Sequence, residues 1–192
     1  MIAVQDPAVA ACLRFLRQHA MDVSDLARHA ADDVVIERYP ERGWNHRMTD
    51  MQAALGICQL EVLDEILDRR RRLAERYTAA LADLLALHAP FDPPESGRTW
   101  QSYCVRVDSG SPVGRTDLMR RLLADGISTR RGVMAIHHED AYAAEVTWDL
   151  PHTDAAAAEA LMLPLYAGLA DHEQDYVIER LAVHAGSLAV AA

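Results

Sequence analysis

The chain has 192 residues, of which 51% are hydrophobic, and this is enough for one domain, or one and a fraction, with a substantial core. Its net charge of −10 argues against a nucleic-acid or membrane partner, and all 19 basic residues are arginine. The three cysteines lie far apart without a CxxC pair, which disfavours a disulfide scaffold or a zinc site. Without a visible signal peptide or membrane span, we expect a cytoplasmic protein.

Hydrophobic periodicity alternates between helices and short strands. In chain order, it predicts a strand at 1–4, a helix at 7–18, a loop at 21–42, helical structure at 49–87 with a break near 59–63, a strand at 102–108, a helix at 115–125, a strand at 127–130, a helix at 153–160, a strand at 161–163 and a helix at 171–184. This alternation predicts an α/β or α+β fold, in which a long helix accompanies a small sheet with flanking helices.

Capping and breaking residues set several of these boundaries. Asp6 before a proline is typical of a helix start, and Thr49 with Gln52 forms a capping box. Gly126 ends the helix at 115–125, and Thr153 is the expected cap of the helix at 153–160. These signals are local, so they predict where elements begin and end rather than how they pack.

The arginine run at 69–72 lies within the long helical segment. Acidic residues precede two of its members by four positions, which predicts the ion pairs Glu65–Arg69 and Asp68–Arg72. We therefore interpret the run as a salt-bridged helix face rather than a nucleic-acid patch.

The most specific segment is Gly43–Leu60, GWNHRMTDMQAALGICQL. It resembles the DegT/DnrJ/StrS family of sugar aminotransferases, which depend on pyridoxal phosphate (PLP). The similarity continues in order through LDEILDRRRRLAERYTAAL, SYCVRVD, RTDLMRRLLADGISTRRGVMAIH and LMLPLYAGL. The resemblance implies a fold-type-I enzyme, with the large PLP domain first and a small domain last. Residues 1–45 would then end the large domain, and 46–192 would form the small domain with its long interdomain helix.

Enzymes of this family hold PLP on a lysine, and this sequence contains none. The resemblance therefore implies a fragment or subunit that contributes no catalytic residue, is inactive alone and binds PLP only with a missing N-terminal segment. Its partner would be a second copy or a complementary N-terminal half. The parent enzyme would transfer an amino group from glutamate or glutamine to a nucleotide-linked ketosugar. The alternatives are a non-catalytic dimerising remnant and an α/β binding module.

Asn45, the single asparagine, is the main candidate for cofactor binding. By resemblance, it donates a hydrogen bond to the PLP phosphate of the neighbouring subunit, and Arg47 supports the same part of the cofactor site. A carboxamide just before a helix start is a suitable phosphate donor. The alternatives are a turn role for Asn45 and a local ion pair between Arg47 and Asp50.

The loop at 129–138 is the second candidate site. By resemblance, it faces the mouth of the active site, where Arg130, Arg131 and His137 would contact the diphosphate or hydroxyl groups of the substrate. The alternative is a solvated loop. Adjacent histidines at 137 and 138 lack the spacing of metal ligands and a second ligand pair, so the sequence predicts no metal site.

The segment that begins at Thr49 carries an apolar face, formed by Met51, Leu55, Ile57 and Leu60. By resemblance, the large domain would cover this face. We therefore expect it to be exposed in the chain by itself, and exposed apolar patches of this kind promote association.

Overall fold

Helices alternate with the strands of one small sheet along the chain. The computed structural model describes residues 2–24, 27, 28, 30–132, 134–142 and 148–185. The labelled helices are α1 Pro7–Leu16, α2 Asp50–Glu61, α3 Leu63–Leu81, α4 Arg115–Ala124, α5 Pro151–Glu159 and α6 Asp171–Ala185. The strands are β1 Leu87–His88, β2 Tyr103–Val107, β3 Arg130–Arg131 and β4 Ala160–Leu163. Contacts divide the chain into two compact units, Met1–Glu61 and Val62–Ala192.

Side-chain caps begin both labelled helices of the first unit, as the sequence predicts. The Asp6 carboxylate accepts a hydrogen bond from the Ala8 amide at 2.7 Å. Thr49 and Gln52 form the capping box reciprocally, with N–O distances of 2.9 and 3.2 Å. The predicted strand at 1–4 is wrong for residues 2–4, which have no strand partner among the described residues. Strand backbone needs such a partner for its hydrogen bonds.

The predicted break in the long helix is confirmed at Val62, whose φ of −105° and ψ of 7° are not helical. The second helical segment, α3, ends at Leu81 rather than near residue 87. The reason is tertiary, because Leu87 pairs with Val107 in the sheet. The two compact units divide at this same break, after Glu61. The assignment of 1–45 and 46–192 to the domains of a parent enzyme stays a prediction.

The sheet has the order β1-β2-β4-β3 among the described residues, and every pair in it is antiparallel. Tyr103, Val105 and Val107 of β2 are buried, which confirms the predicted alternation. The predicted strand at 127–130 is displaced, since Ile127 packs in the core directly after Gly126 ends α4 at a φ of +80°.

The core of the second unit lies between this sheet and helices α3, α4 and α6. It contains, as its largest fully buried side chains, Tyr77, Tyr103, Leu73, Leu118, Leu122, Leu161, Leu181, Gln174 and Val105. The rings of Tyr77 and Tyr103 lie 5.1 Å apart, and the Tyr77 hydroxyl donates to the Pro164 carbonyl at 3.0 Å. Burial raises the pKa of Tyr77 well above its ordinary value.

Among the described residues, neither predicted i,i+4 ion pair forms: Asp68 pairs with Arg71 at 2.5 Å, three positions on, while Arg69 and Arg70 make tertiary contacts. Arg69 donates to the Leu169 carbonyl at 2.5 Å and to the Asp171 carboxylate at 2.7 Å. Arg70 donates to two carbonyl oxygens, those of residues 100 and 101, both at 3.2 Å. The arginines therefore connect α3 to the start of α6 and to the loop before β2.

Thr153 does not cap a helix, which corrects another prediction. The helix α5 begins earlier, at Pro151, so Thr153 lies inside its first turn. A proline is favoured at a first helical position, and this preference decides the start here. None of the helices in the described part of the chain combines the length and apolar character needed to cross a bilayer.

Candidate cofactor and substrate sites

Asn45 lies in a segment that pairs with the end of α1 through backbone hydrogen bonds. The Trp44 amide donates to the Leu16 carbonyl at 2.8 Å, and the His46 amide donates to the Arg17 carbonyl at 2.9 Å. Asn45 itself forms an antiparallel bridge with Gln18. These contacts fix the backbone on both sides of Asn45.

Gly43 makes this pairing possible. A Cβ atom at Gly43 would overlap the backbone of His19 and Ala20, with the His19 Cα only 2.7 Å away. His19 and Ala20 adopt left-handed conformations, with φ values of 61° and 54°. Such conformations are strained for residues with a side chain, and Ala20 is fully buried. The segment that carries Asn45 therefore depends on a glycine at position 43.

The side chain of Asn45 is exposed and makes no hydrogen bond to another described residue. Arg47 follows two residues later, also exposed. A carboxamide NH₂ and a guanidinium this close in sequence are donors suited to a phosphate group. These residues therefore fit the phosphate end of PLP. The chain has no side-chain amine for the aldehyde end, because it contains no lysine.

Arg130 and Arg131 form strand β3, opposite Met162 and Leu161 of β4. Successive strand side chains project to opposite faces, so the two guanidinium groups do not converge. Arg131 donates to the Glu139 carboxylate at 2.9 Å. Of the two arginines among the three predicted substrate contacts, Arg131 is the one that the structure connects with the loop that carries His137.

His137 lies in a short 3₁₀ turn, Ile136–His138, and only 11% of its side chain is exposed. Its Nε2 lies 2.7 Å from the Asp154 Oδ1, and the Nε2 of His138 lies 2.9 Å from that same oxygen. The rings of the two histidines are 4.2 Å apart. Residue 133 of this loop lies outside the described residues.

Two cavities adjoin the histidine pair. A polar cavity of about 260 Å³ has charged or imidazole side chains in its wall, namely Arg115, Arg131, His138, Glu139 and Asp154. An apolar cavity of about 290 Å³ is lined by Ile136, His137, Tyr142, Trp148 and Leu150. The loop predicted from the sequence thus lies beside two cavities of different chemical character.

Sequence reasoning missed Arg115 and Asp154. Arg115 is the first residue of α4, and Asp154 lies in the first turn of α5. An acidic residue in a first turn is ordinarily explained by the helix dipole, so the sequence held no separate signal for Asp154. Only the packing of α5 against the loop reveals its contact with the histidines.

The chain was compared with known proteins. The sequence profile of the DegT/DnrJ/EryC1/StrS aminotransferase family matches residues 1–182. The chain is 34% identical over 184 residues to GDP-perosamine synthase of Caulobacter vibrioides, covering 94% of this chain and 46% of that protein.

Solved structures share the fold. The aminotransferase TlmJ from Streptoalloteichus hindustanus matches with a TM-score of 0.77 and 30% identity, over 94% of this chain and 46% of that one. DesV from S. venezuelae, solved in complex with a ketimine intermediate, matches with a TM-score of 0.79 and 28% identity, over 94% and 45%. The chain therefore spans about half the length of these relatives, and the α/β fold expected from the resemblance is confirmed. It belongs to the DegT/DnrJ/EryC1/StrS aminotransferase family.

Proposed function

We propose that the chain is the C-terminal part, or a subunit, of a PLP-dependent sugar aminotransferase in the cytoplasm. The observation that carries this proposal is the family match over residues 1–182, in a sequence that contains no lysine. The amine that holds PLP must then come from another polypeptide segment. By itself, the chain is expected to be inactive.

Asn45 and Arg47 are the residues proposed to hold the cofactor. When bound, PLP supplies the electron sink that the transfer of an amino group requires. The Asn45 carboxamide would donate to a phosphate oxygen, and Arg47 would add positive charge beside it. The backbone pairing of Asn45 with Gln18 supports this role, because with the main chain fixed only the side chain must be ordered when it binds. By family resemblance, the phosphate belongs to the neighbouring subunit of a dimer.

Arg130, Arg131 and His137 are the proposed contacts for the substrate, a nucleotide-linked ketosugar. The name of the relative GDP-perosamine synthase supports this substrate class. Arg131 is the better placed of the two arginines, since it lines the polar cavity and can offer N–H groups to phosphate oxygens. His137 borders the apolar cavity, where Tyr142 and Trp148 offer surfaces for a sugar or base. The amino donor would be glutamate or glutamine.

A second function is favoured by the same absence of lysine. The chain could be a non-catalytic remnant or binding module of this fold, which folds and dimerises without PLP chemistry. The two functions differ in whether a lysine-bearing segment restores cofactor binding.

The experiment begins with the 192-residue chain, PLP and borohydride, followed by mass spectrometry. We expect no stoichiometric adduct on an internal residue. A complementary segment that carries the family's lysine is then co-expressed, and PLP retention is measured by absorbance. Restored binding supports the enzyme, whereas failure with a folded complex favours the remnant.

Asn45→Ala tests the phosphate contact within that complex. It should weaken PLP binding by roughly 1–3 kcal/mol, because a hydrogen bond to a charged group is lost. The exposed amide variant Gln101→Ala serves as the matched control and should leave binding unchanged. Unaltered binding in Asn45→Ala would show that the phosphate assignment is wrong even where the family assignment is right.

A further inference from the structure

Three side chains with metal-binding atoms converge on one point of the second unit. The Nε2 atoms of His137 and His138 lie 2.7 and 2.9 Å from a single oxygen of Asp154. The ligand atoms of all three residues lie within 4.8 Å of one another. We propose that these residues bind a divalent first-row transition-metal ion, with Zn²⁺ as the representative ion. The site shares His137 with the proposed substrate contacts, but a bound ion does not require aminotransferase activity.

The ligand chemistry suits zinc. Two imidazoles and one carboxylate are among the ligand sets that hold Zn²⁺ with a fourth position open to water or another ligand. Bonds of about 2.0–2.2 Å in a tetrahedral site place the ligand atoms about 3.3 Å apart. The present His–Asp distances are those of hydrogen bonds, so each contact must lengthen by about half an ångström. The ligand atoms that lie farthest apart, at up to 4.8 Å, must in turn approach one another when the ion binds.

Backbone hydrogen bonds fix the main chain at His138 and Asp154 before an ion binds. The His138 amide donates to the Ala135 carbonyl at 2.9 Å, which closes the 3₁₀ turn. The Asp154 amide donates to the Leu150 carbonyl at 2.9 Å in the first turn of α5. A site that is ordered in advance loses less conformational entropy when it binds its ion.

The charges around the cluster leave its carboxylate available. Arg131 pairs with Glu139 at 2.9 Å, so this guanidinium is neutralised by a different acid. Arg115 lines the same polar cavity and opposes a cation, whereas the chain's net charge of −10 favours one. His138 and Asp154 line the cavity of about 260 Å³, so an ion bound to them would border open space. That space can accommodate a water molecule as the fourth ligand.

The sequence prediction of no metal site depends on the spacing of the histidines and on the lack of a second ligand pair. The third ligand comes from a different helix, which spacing cannot reveal. This third ligand is Asp154 of α5, which the sequence pattern around the two histidines does not include.

The test measures the zinc affinity of the full 192-residue chain by competition with a chromophoric chelator. We expect one Zn²⁺ per chain at sub-micromolar affinity. His138→Ala and Asp154→Asn should each weaken binding at least tenfold. His88→Ala is the matched control, because the His88 Nε2 also contacts an aspartate, Asp108, at 2.8 Å but has no second histidine beside it. Its zinc affinity should equal that of the wild type.

Cobalt provides a second readout, since Co²⁺ in a tetrahedral site gives strong visible absorption that an unspecific surface ion does not. Equal zinc affinity in the wild type and Asp154→Asn would overturn the proposal and leave the cluster as a hydrogen-bond network only. A tenfold loss in His88→Ala would also overturn it. Circular dichroism checks folding, and if Asp154→Asn does not fold, His138→Ala decides the result. The side chain of His138 is 54% exposed and does not belong to the core.

Discussion

Gly43 is the residue on which the position of Asn45 depends. Its Cα faces the backbone of His19 and Ala20 so closely that any Cβ atom would overlap them. The overlapping atoms belong to the main chain, which cannot move aside by a change of rotamer. A substitution must therefore separate the segment from the end of α1.

Gly43→Ala should weaken the backbone pairing beside Asn45. We expect faster hydrogen exchange at the amides of Trp44 and His46, whose partners are the carbonyls of α1. Gly56→Ala is the control, because nothing lies within 4 Å of its Cβ position in α2. That variant should leave exchange at both amides unchanged. Equal exchange in the two variants would contradict the role given to Gly43.

Gln174 is fully buried on α6, and its side chain connects two helices. Its Nε2 donates to the Leu73 carbonyl at 2.7 Å, and its Oε1 accepts from Arg76 at 2.8 Å. The sequence predicts only that Gln174 lies in the first turn of the helix that begins at Asp171. The structure instead shows that the Ala170 amide donates to Glu173 there, at 2.8 Å.

Gln174→Met should destabilise the second unit by roughly 1–3 kcal/mol, because a similar volume without polar atoms leaves buried hydrogen-bonding groups unpaired. Urea denaturation followed by circular dichroism measures this loss. Gln101→Met changes an exposed glutamine in the same unit and should alter the midpoint only slightly. A Gln174→Met midpoint as high as that of the control would show that the buried amide contributes little.

At the scale of elements, the contact between α4 and α6 depends on a carboxylate just after α4. Asp125 accepts from Arg180 Nε at 2.7 Å and contacts His184 Nε2 at 2.5 Å. The hydrogen bond from His184, followed by that from Arg180, holds the pKa of Asp125 below its ordinary value of 3.8. The Tyr176 hydroxyl also donates to the Asp125 carbonyl, at 3.2 Å.

Asp125→Asn should weaken the contact between α4 and α6 in a pH-dependent manner. A lowered folded-state pKa means that the carboxylate stabilises the fold above pH 3.8 and loses this contribution as the pH falls through the lowered value. The difference in urea midpoint between wild type and variant should thus be present at pH 5 and shrink below pH 3.8. Asp117→Asn, which affects an exposed pair with Arg120 inside α4, should show little difference at either pH. A pH-independent difference for Asp125→Asn would contradict this account.

At the scale of the whole molecule, the large apolar side chains of α2 are exposed as the sequence predicts, but they project from more than one side of the helix and do not form the single face expected. These side chains are between 60% and 84% exposed, namely Met51, Leu55, Ile57 and Leu60. Monomeric proteins rarely leave this much apolar surface open to water, so a second polypeptide is expected to cover α2.

The purified chain should therefore form dimers or larger species at micromolar concentration, as measured by light scattering. The double variant Leu55→Glu, Leu60→Glu should shift the distribution towards monomer, because charges on two sides of α2 disfavour the burial of this helix. Leu123→Glu alters a comparably exposed leucine of α4 and should leave the mass unchanged. A monodisperse wild-type monomer would contradict the expectation.

The sequence by itself determined the features that local chemistry specifies. The capping box of Thr49 and Gln52, the break at Val62 and the alternation along β2 all depend on neighbours within a few residues. The motif Gly43–Leu60 was sufficient to indicate the family, which the profile match over residues 1–182 confirms. The roles of Asn45, Arg47 and the substrate contacts stay predictions.

Only the tertiary structure decided which distant groups meet. It placed Asp154 against two histidines, buried Gln174 against α3, and paired Arg69 with Asp171 rather than with an acid in its own helix. Periodicity and spacing describe one element at a time, whereas these contacts join elements far apart in sequence. Such a pairing depends on how the helices and the sheet pack, because a charged or polar side chain takes whichever partner the fold brings within reach.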